Sequence, residues 1–290
     1  MIGLGSSAVI SVPVDDAGCM IPAELEALII RAKEQGKTPL FINATAGTTV
    51  LGSFDPFEAI SAIARRHKLW MHIDGAWGGS VIFSERHRYK LEGSHLANSL
   101  AMNPHKMLGA PATCSILLGQ DLRQFHRANT LPAGYLFHST DDTEGDREVW
   151  DLADLTPQCG RRGDSLKLAL SWIYYGSSGY EKQIDNAFEV AAYFARKVKA
   201  DSDFVLVSQD PPPCLQVAFY YAPGGKGIFP VPEDNTKLTA DIVGKLTLRG
   251  FMVDYAPGEK GSFFRVVVNI QTRRGTVDGL LKAIADCAEE

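Results

Sequence analysis

Three short apolar runs, each closing on polar or small residues, constrain this chain more than anything else in it. Residues 39–45 (Pro-Leu-Phe-Ile-Asn-Ala-Thr) end in Ala46-Gly47-Thr48-Thr49. Residues 69–74 end in Gly75-Ala76-Trp77-Gly78-Gly79, and Ser99-Leu100-Ala101-Met102 ends in Asn103-Pro104-His105-Lys106. Helix-spaced segments lie among them. Continuous apolar strands alternating with helices predict an α/β fold, with a mostly parallel sheet covered by helices on both faces. In such sheets the ligand site lies outside the carboxyl ends of the strands. The three polar strand ends therefore converge on one crevice.

The remaining elements follow from punctuation. Residues 8–14 read as a short strand. Pro22 opens a helix over 23–35, with Leu25, Leu28, Ile29 and Ala32 on one face and Gly36 as its stop. Asp55 caps, and Pro56 opens, a second helix with the face Phe57, Ile60, Ile63 and Ala64. A strand is expected over 113–118 and a helix carrying Leu122, Phe125 and His126. Residues 130–163 read as irregular and include an acidic stretch at 141–146; a loop of that length is disordered or functional. Helices are expected over 165–175 and 180–200, separated by Ser177-Ser178-Gly179. The pattern then changes to α+β, with strands at 204–207, 215–221 and 262–269 and helices at 237–249 and 277–288. Two domains are expected, a larger one over 1–178 and a smaller α+β one over 179–290.

Bulk properties exclude several classes. A net charge of −5 over 290 residues gives no basic surface for nucleic acid or an anionic membrane. No apolar run reaches the roughly 18–20 residues that span a bilayer. The N-terminus lacks the basic start and long apolar run of a signal peptide. The five cysteines (Cys19, Cys114, Cys159, Cys214 and Cys287) are odd in number and scattered, with no C-x-x-C pair. That pattern argues against a disulfide framework or a zinc site and places the protein in the cytoplasm.

Lys106 is the candidate for chemistry. Lysine is ordinarily a solvated surface residue. Desolvated, its ammonium loses its proton more readily and becomes a nucleophile toward carbonyls. A solvated loop lysine after a strand is the alternative on these four residues alone. Asp74 before Gly75 reads equally as a turn residue. Arg265 lies between Phe263-Phe264 and Val266-Val267-Val268, on a strand otherwise apolar, where a buried guanidinium needs a carboxylate partner.

Taken together, residues 43–49, 72–79, 103–107 and 263–265 resemble the group II pyridoxal-phosphate-dependent amino-acid decarboxylases, closest to the glutamate and cysteine-sulfinate decarboxylase branch. The resemblance runs over essentially the whole chain and keeps the order and spacing of the motifs. It implies a fold-type I transferase-like large domain, incomplete here, with a small carboxyl-terminal α+β domain. It implies pyridoxal 5'-phosphate as cofactor, an acidic amino acid as substrate, carboxy-lyase chemistry and a homodimer in the full-length form.

Residue by residue, Lys106 matches the lysine that forms a Schiff base with the cofactor. Asp74 matches the carboxylate paired with the pyridine nitrogen, which keeps the ring protonated as an electron sink. Ala76 matches the small residue under the ring, and Trp77 reads as wall. Thr49 matches a threonine near the cofactor, or is a turn hydroxyl bonding its own backbone. His105 matches a histidine beside the phosphate. His72, two residues before Asp74 on one strand face, either orients it or is a core histidine. Tyr135 matches a mobile-loop tyrosine that delivers a proton after decarboxylation, or anchors the base of that loop. Arg265 matches the arginine that holds the substrate's α-carboxylate. No residue is assigned to a metal.

Two departures bear on substrate. Gln158-Cys159-Gly160-Arg161 follows the family, but Arg162 stands where a glutamate-type enzyme is expected to have histidine. The resemblance also places a long segment ahead of Met1, holding the ring-stacking histidine, the phosphate loop and part of the acidic-substrate pocket. Glutamate, cysteine sulfinate, aspartate and an aromatic acid stay open, in that order. So does a truncated, non-catalytic chain that needs a partner.

Overall fold

The computed structural model describes residues 3–130, 152–158 and 160–290. Its amino-terminal part is built on a sheet of four strands in the order β1-β2-β3-β4. These are β1 (Phe41–Thr45), β2 (Trp70–Gly75), β3 (Ser99–Met102) and β4 (Ile116–Gly119). β1 pairs with β2 and β2 with β3 in parallel, while β4 runs antiparallel to β3. The mostly parallel sheet expected from the apolar runs is present, with one reversed edge.

Helices α1 (Pro22–Glu34) and α2 (Phe57–His67) connect and cover these strands. Period two decides which side they cover. Ile42, Ala44, Met71 and Ile73 share one face and are buried, packing with Phe57, Ile60 and Ile63 of α2. The opposite face carries Phe41, Asn43, His72 and Asp74. Cover on both faces is therefore met only in part among the described residues: Phe41, Leu117 and Leu118 stay exposed.

Two local expectations are corrected. Residues 8–14 form no strand. A 3-10 turn spans Ser6–Ala8 and only Val14 makes an isolated bridge, to Met20, because no neighbouring strand among the described residues offers a ladder to this segment. Asp55 does not cap α2. Its Oδ1 accepts from the Met20 N–H at 2.7 Å and its Oδ2 from the Thr45 N–H at 2.7 Å, so the buried carboxylate ties the segment before α1 to the end of β1. The expected break between two helices is present: within α4 (Ser165–Ala200), Gly176, with φ of 67° and ψ of 172°, leaves the helical region and divides the element in two. The break falls one residue before the serines, at the residue that adopts that backbone at least cost.

After α3 (Leu122–Asn129) and α4, the chain builds a second sheet in the order β5-β6-β8-β7. It comprises β5 (Phe204–Leu206), β6 (Gln216–Tyr221), β7 (Asp254–Ala256) and β8 (Phe263–Val267), all antiparallel to their neighbours. Helices α5 (Pro232–Leu248) and α6 (Arg274–Glu289) pack with α4 on it. α5 begins at Pro232, five residues before the expected start, with Pro at its first position and Glu233 and Asp234 in its first turn. The three-residue edge strand β7 is too short for any period to reveal. An aromatic cluster holds this part together: the Phe219 ring lies 5.5 Å from Phe194, 5.6 Å from Phe204 and 5.4 Å from Phe264. A division of the chain near residue 178 falls inside α4, just past its bend, and remains a proposal.

Candidate active site

The carboxyl ends of β1, β2 and β3 lie side by side, with Thr45 opposite Asp74 and Asp74 opposite Ala101. The turns that follow are packed against one another. Ala46 donates its N–H to the Asp74 carbonyl at 2.9 Å, and Gly78 donates to the Ala46 carbonyl at 2.9 Å. A Cβ on Gly78 would stand 2.6 Å from the Ala46 carbonyl oxygen and 2.6 Å from the Phe54 ring, so only glycine lets these turns close. Asp74 is half-buried, and its Oδ1 accepts from the Ala76 N–H at 3.0 Å, a turn that aims the carboxylate away from its own strand.

Lys106 follows β3 by a tight turn, its N–H donating to the Asn103 carbonyl at 2.9 Å. Its Nζ lies 4.6 Å from the Trp77 ring centroid. Burial pushes its ammonium below the ordinary lysine range. The Asp74 carboxylate opposes that shift and the Arg265 guanidinium adds to it. Lys106 thus senses two charges far from it in sequence. A half-buried lysine beside one carboxylate and one guanidinium is not a solvated loop lysine.

His72 shares the strand face of Asp74 and stacks on Phe41, ring centroids 5.9 Å apart. Trp70 Nε1–H donates to the Ser99 hydroxyl at 2.9 Å, and His72 Nδ1 lies 2.8 Å from the same oxygen. The indole can only donate, so the Ser99 oxygen accepts from Trp70 and is shared with His72 Nδ1, a contact that a neutral imidazole can make. Burial lowers the His72 pKa, partly offset by Asp74, and so favours this neutral form. The core-histidine reading holds for the Nδ1 side.

His105 Nδ1 lies 2.6 Å from the Cys114 carbonyl and 3.2 Å from the Cys114 N–H. The ring is thereby fixed to the strand-to-strand connection that follows Lys106. Thr49 is exposed, and its carbonyl accepts from Arg265 Nη1 at 3.1 Å. Arg265, on β8, also meets a carboxylate, as its sequence context requires: Nη2 lies 2.6 Å from Asp254 Oδ2, on β7 directly opposite. Sequence reasoning missed Asp254, because only the β7–β8 register puts it there. It missed Ser99 for the same reason, since a serine in an apolar run carries no sign of its cross-strand partners. Tyr135 lies outside the described residues.

The Arg162 motif belongs to a different place. A cavity of about 380 Å³ is lined by Thr113, Ser115, Gln158, Gly160, Arg161, Arg162 and Asp164, with none of Lys106, Asp74 or Arg265 in its wall. Asp164 is held there by Lys167 at 2.7 Å. No group of His, Cys, Asp and Glu among the described residues has the makings of a metal site.

Strand ends carrying Asp74 and Lys106, with the Arg265 charge on β8 bearing on that lysine, belong to a fold-type I α/β scaffold. The family model described as the pyridoxal-dependent decarboxylase conserved domain matches residues 2–222, and the chain belongs to that family. It is 55% identical over 282 residues to an L-aspartate decarboxylase of Metarhizium robertsii, an alignment covering 97% of this chain and 55% of that protein. It is 37% identical to a glutamate decarboxylase-like protein of Gibberella zeae, covering 100% of this chain and 62% of that one. The crystal structure of mouse CSAD superposes with a TM-score of 0.89 at 36% identity, over 99% of this chain and 60% of the other. The chain thus spans little more than half the length of the relatives it matches. The family read from the sequence motifs is confirmed.

The residues present fit two ends of a pyridoxal phosphate. Lys106, its ammonium destabilised by burial, suits the aldehyde, and Asp74, aimed by the Ala76 N–H, suits the protonated ring nitrogen.

Proposed function

We propose that this chain carries the lysine and aspartate of a pyridoxal-phosphate-dependent carboxy-lyase acting on a small acidic amino acid, with L-aspartate its leading substrate. The observation that carries the reading is the half-buried Lys106, its Nζ 4.6 Å from the Trp77 ring centroid and its ammonium pushed below the ordinary lysine range by burial, just beyond the strand paired with that of Asp74. The choice of aspartate over glutamate rests on the 55% identity to an L-aspartate decarboxylase.

The cofactor, when bound, supplies an electron sink for the bond pair left behind by CO2. The chain supplies the rest. Lys106 Nζ is the amine for the cofactor's aldehyde, and burial shifts it toward the neutral base. The Asp74 carboxylate holds the proton on the ring nitrogen. Ala76 would leave room beneath the ring, and His105 and Thr49 would border the cofactor. Arg265 binds the substrate's α-carboxylate through its guanidinium N–H donors. Tyr135 Oη returns a proton to the substrate carbon.

The test is direct. Pyridoxal phosphate is added to the chain, the adduct is reduced with borohydride, and the labelled peptide is mapped. Attachment at Lys106, lost in Lys106→Ala, is the expected result; attachment elsewhere overturns the assignment. Released CO2 from L-aspartate exceeding that from L-glutamate supports the substrate choice, and the reverse order removes it.

A second reading is that activity needs a partner chain, either a second copy or an intact relative. Exposed apolar side chains favour it, notably Phe41, Leu117 and Leu118 on the sheet and Ile173 and Tyr174 on α4. Sedimentation of the active species decides: an active monomer refutes it. Cys19, Cys114, Cys214 and Cys287 are free thiols, which supports a cytoplasmic setting, and no described helix is long and apolar enough to cross a membrane.

A further inference from the structure

We infer that Asp254 is an exchangeable counter-ion for Arg265, occupying the guanidinium until a substrate carboxylate displaces it. The inference rests on the reading of Arg265 as the carboxylate-binding group.

The two residues differ in how free they are to move. The Arg265 side chain is 16% exposed and Asp254 is 65% exposed. Arg265 sits on β8, flanked by strands on both sides, whereas Asp254 sits on the three-residue edge strand β7. The guanidinium has a second anchor: Nη1 donates to the Thr49 carbonyl at 3.1 Å. If Asp254 leaves, that bond keeps the arginine in position. Asp254 has a local alternative of its own, since its Oδ1 already accepts from the Tyr255 N–H at 2.9 Å.

Chemistry favours the exchange. A guanidinium this covered is costly without an anion, so an empty site needs a stand-in. Nη2, the donor that Asp254 takes at 2.6 Å, is one that a ligand carboxylate can use. The swap is one carboxylate for another, so the charge beside Arg265 is the same before and after, and Lys106, which senses Arg265, keeps its surroundings. An ion pair with so exposed a partner is weak, which is what a displaceable contact requires.

The experiment uses the full chain with pyridoxal phosphate added and succinate as probe, a dicarboxylate with no amine to react. Calorimetry at neutral pH compares the parent, Asp254→Asn and Arg265→Gln. Asp254→Asn is expected to bind succinate about two- to five-fold tighter, the span that an exposed ion pair is worth. The Asp254 side-chain carboxyl resonance is expected to shift toward that of an unpaired aspartate as succinate is added to the parent. Unchanged or weaker binding in Asp254→Asn, with binding lost in Arg265→Gln, overturns the exchange and leaves Arg265 as the carboxylate site. Parent-like binding in an Arg265→Gln chain whose melting curve is intact overturns the Arg265 reading itself. No binding by either folded parent or Asp254→Asn overturns both.

Discussion

The Lys106 Nζ lies 4.6 Å from the centroid of the Trp77 ring, four residues beyond the end of β3 and two beyond the end of β2. The ring face attracts the ammonium, but it also takes water away from it, and burial is the larger influence on Lys106.

The first prediction is a pH profile. The folded chain holds the Lys106 pKa below 10.5, the value assigned to an unfolded lysine. Between the folded value and 10.5 the unfolded chain binds more protons, so this residue's contribution to stability rises with pH through that window. Below the folded value its burial penalty is constant. Competitive labelling with acetic anhydride, read by peptide mass, is expected to modify Lys106 at lower pH than the exposed Lys37. Equal or later modification of Lys106 would show that its ammonium is not desolvated.

A second prediction concerns Ser99, whose hydroxyl serves both Trp70 Nε1–H and His72 Nδ1. Ser99→Ala leaves a covered indole N–H and a ring nitrogen without partners. The expected loss is about 1–3 kcal/mol by chemical denaturation. Nitrogen NMR is also expected to show changed His72 ring-nitrogen shifts; a chain with an unchanged His72 spectrum would contradict the shared contact at Ser99.

Asp55 provides a third. Its buried carboxylate accepts from two main-chain N–H groups, those of Met20 and Thr45. Asp55→Ala strands both donors, at an expected cost of about 2–4 kcal/mol. A melting midpoint within experimental error of the parent would mean that water replaces the carboxylate fully.

The fourth rests on Gly78, where a Cβ meets the Ala46 carbonyl oxygen at 2.6 Å. Backbone has to give way, so Gly78→Ala is expected to cost about 3 kcal/mol, the upper end for an overpacked site. Because Ala46 and Gly78 close the turns next to Asp74, pyridoxal phosphate affinity should fall in the same variant. Unimpaired stability and affinity together would mean that the turn is free to open.

Much of this site was legible before any coordinates. The apolar runs named β1, β2 and β3, and their polar ends placed Thr49, Asp74 and Lys106 at one edge. Helices α1 and α2 began at their prolines or one residue beyond, because proline's fixed φ is a local property. Local chemistry misled where a residue had distant partners. Asp55 has the composition of a cap but bonds Met20 and Thr45. Residues 8–14 have a strand's composition without a neighbour to pair with among the described residues.

The sequence by itself determined the kind of sheet, the positions of its polar ends and the family to which they belong, because apolar period, turn residues and motif spacing are all properties of the chain read in order. Only the tertiary structure decided the partners. It set Asp254 on Arg265 through the β7–β8 register, Arg265 against the Thr49 carbonyl, and Ser99 between Trp70 and His72. Lys106 was conspicuous in the sequence for its neighbours at 103–105. Its burial, and the opposing influences of Asp74 and Arg265 on its ammonium, depend on distances in space that spacing along the chain does not encode.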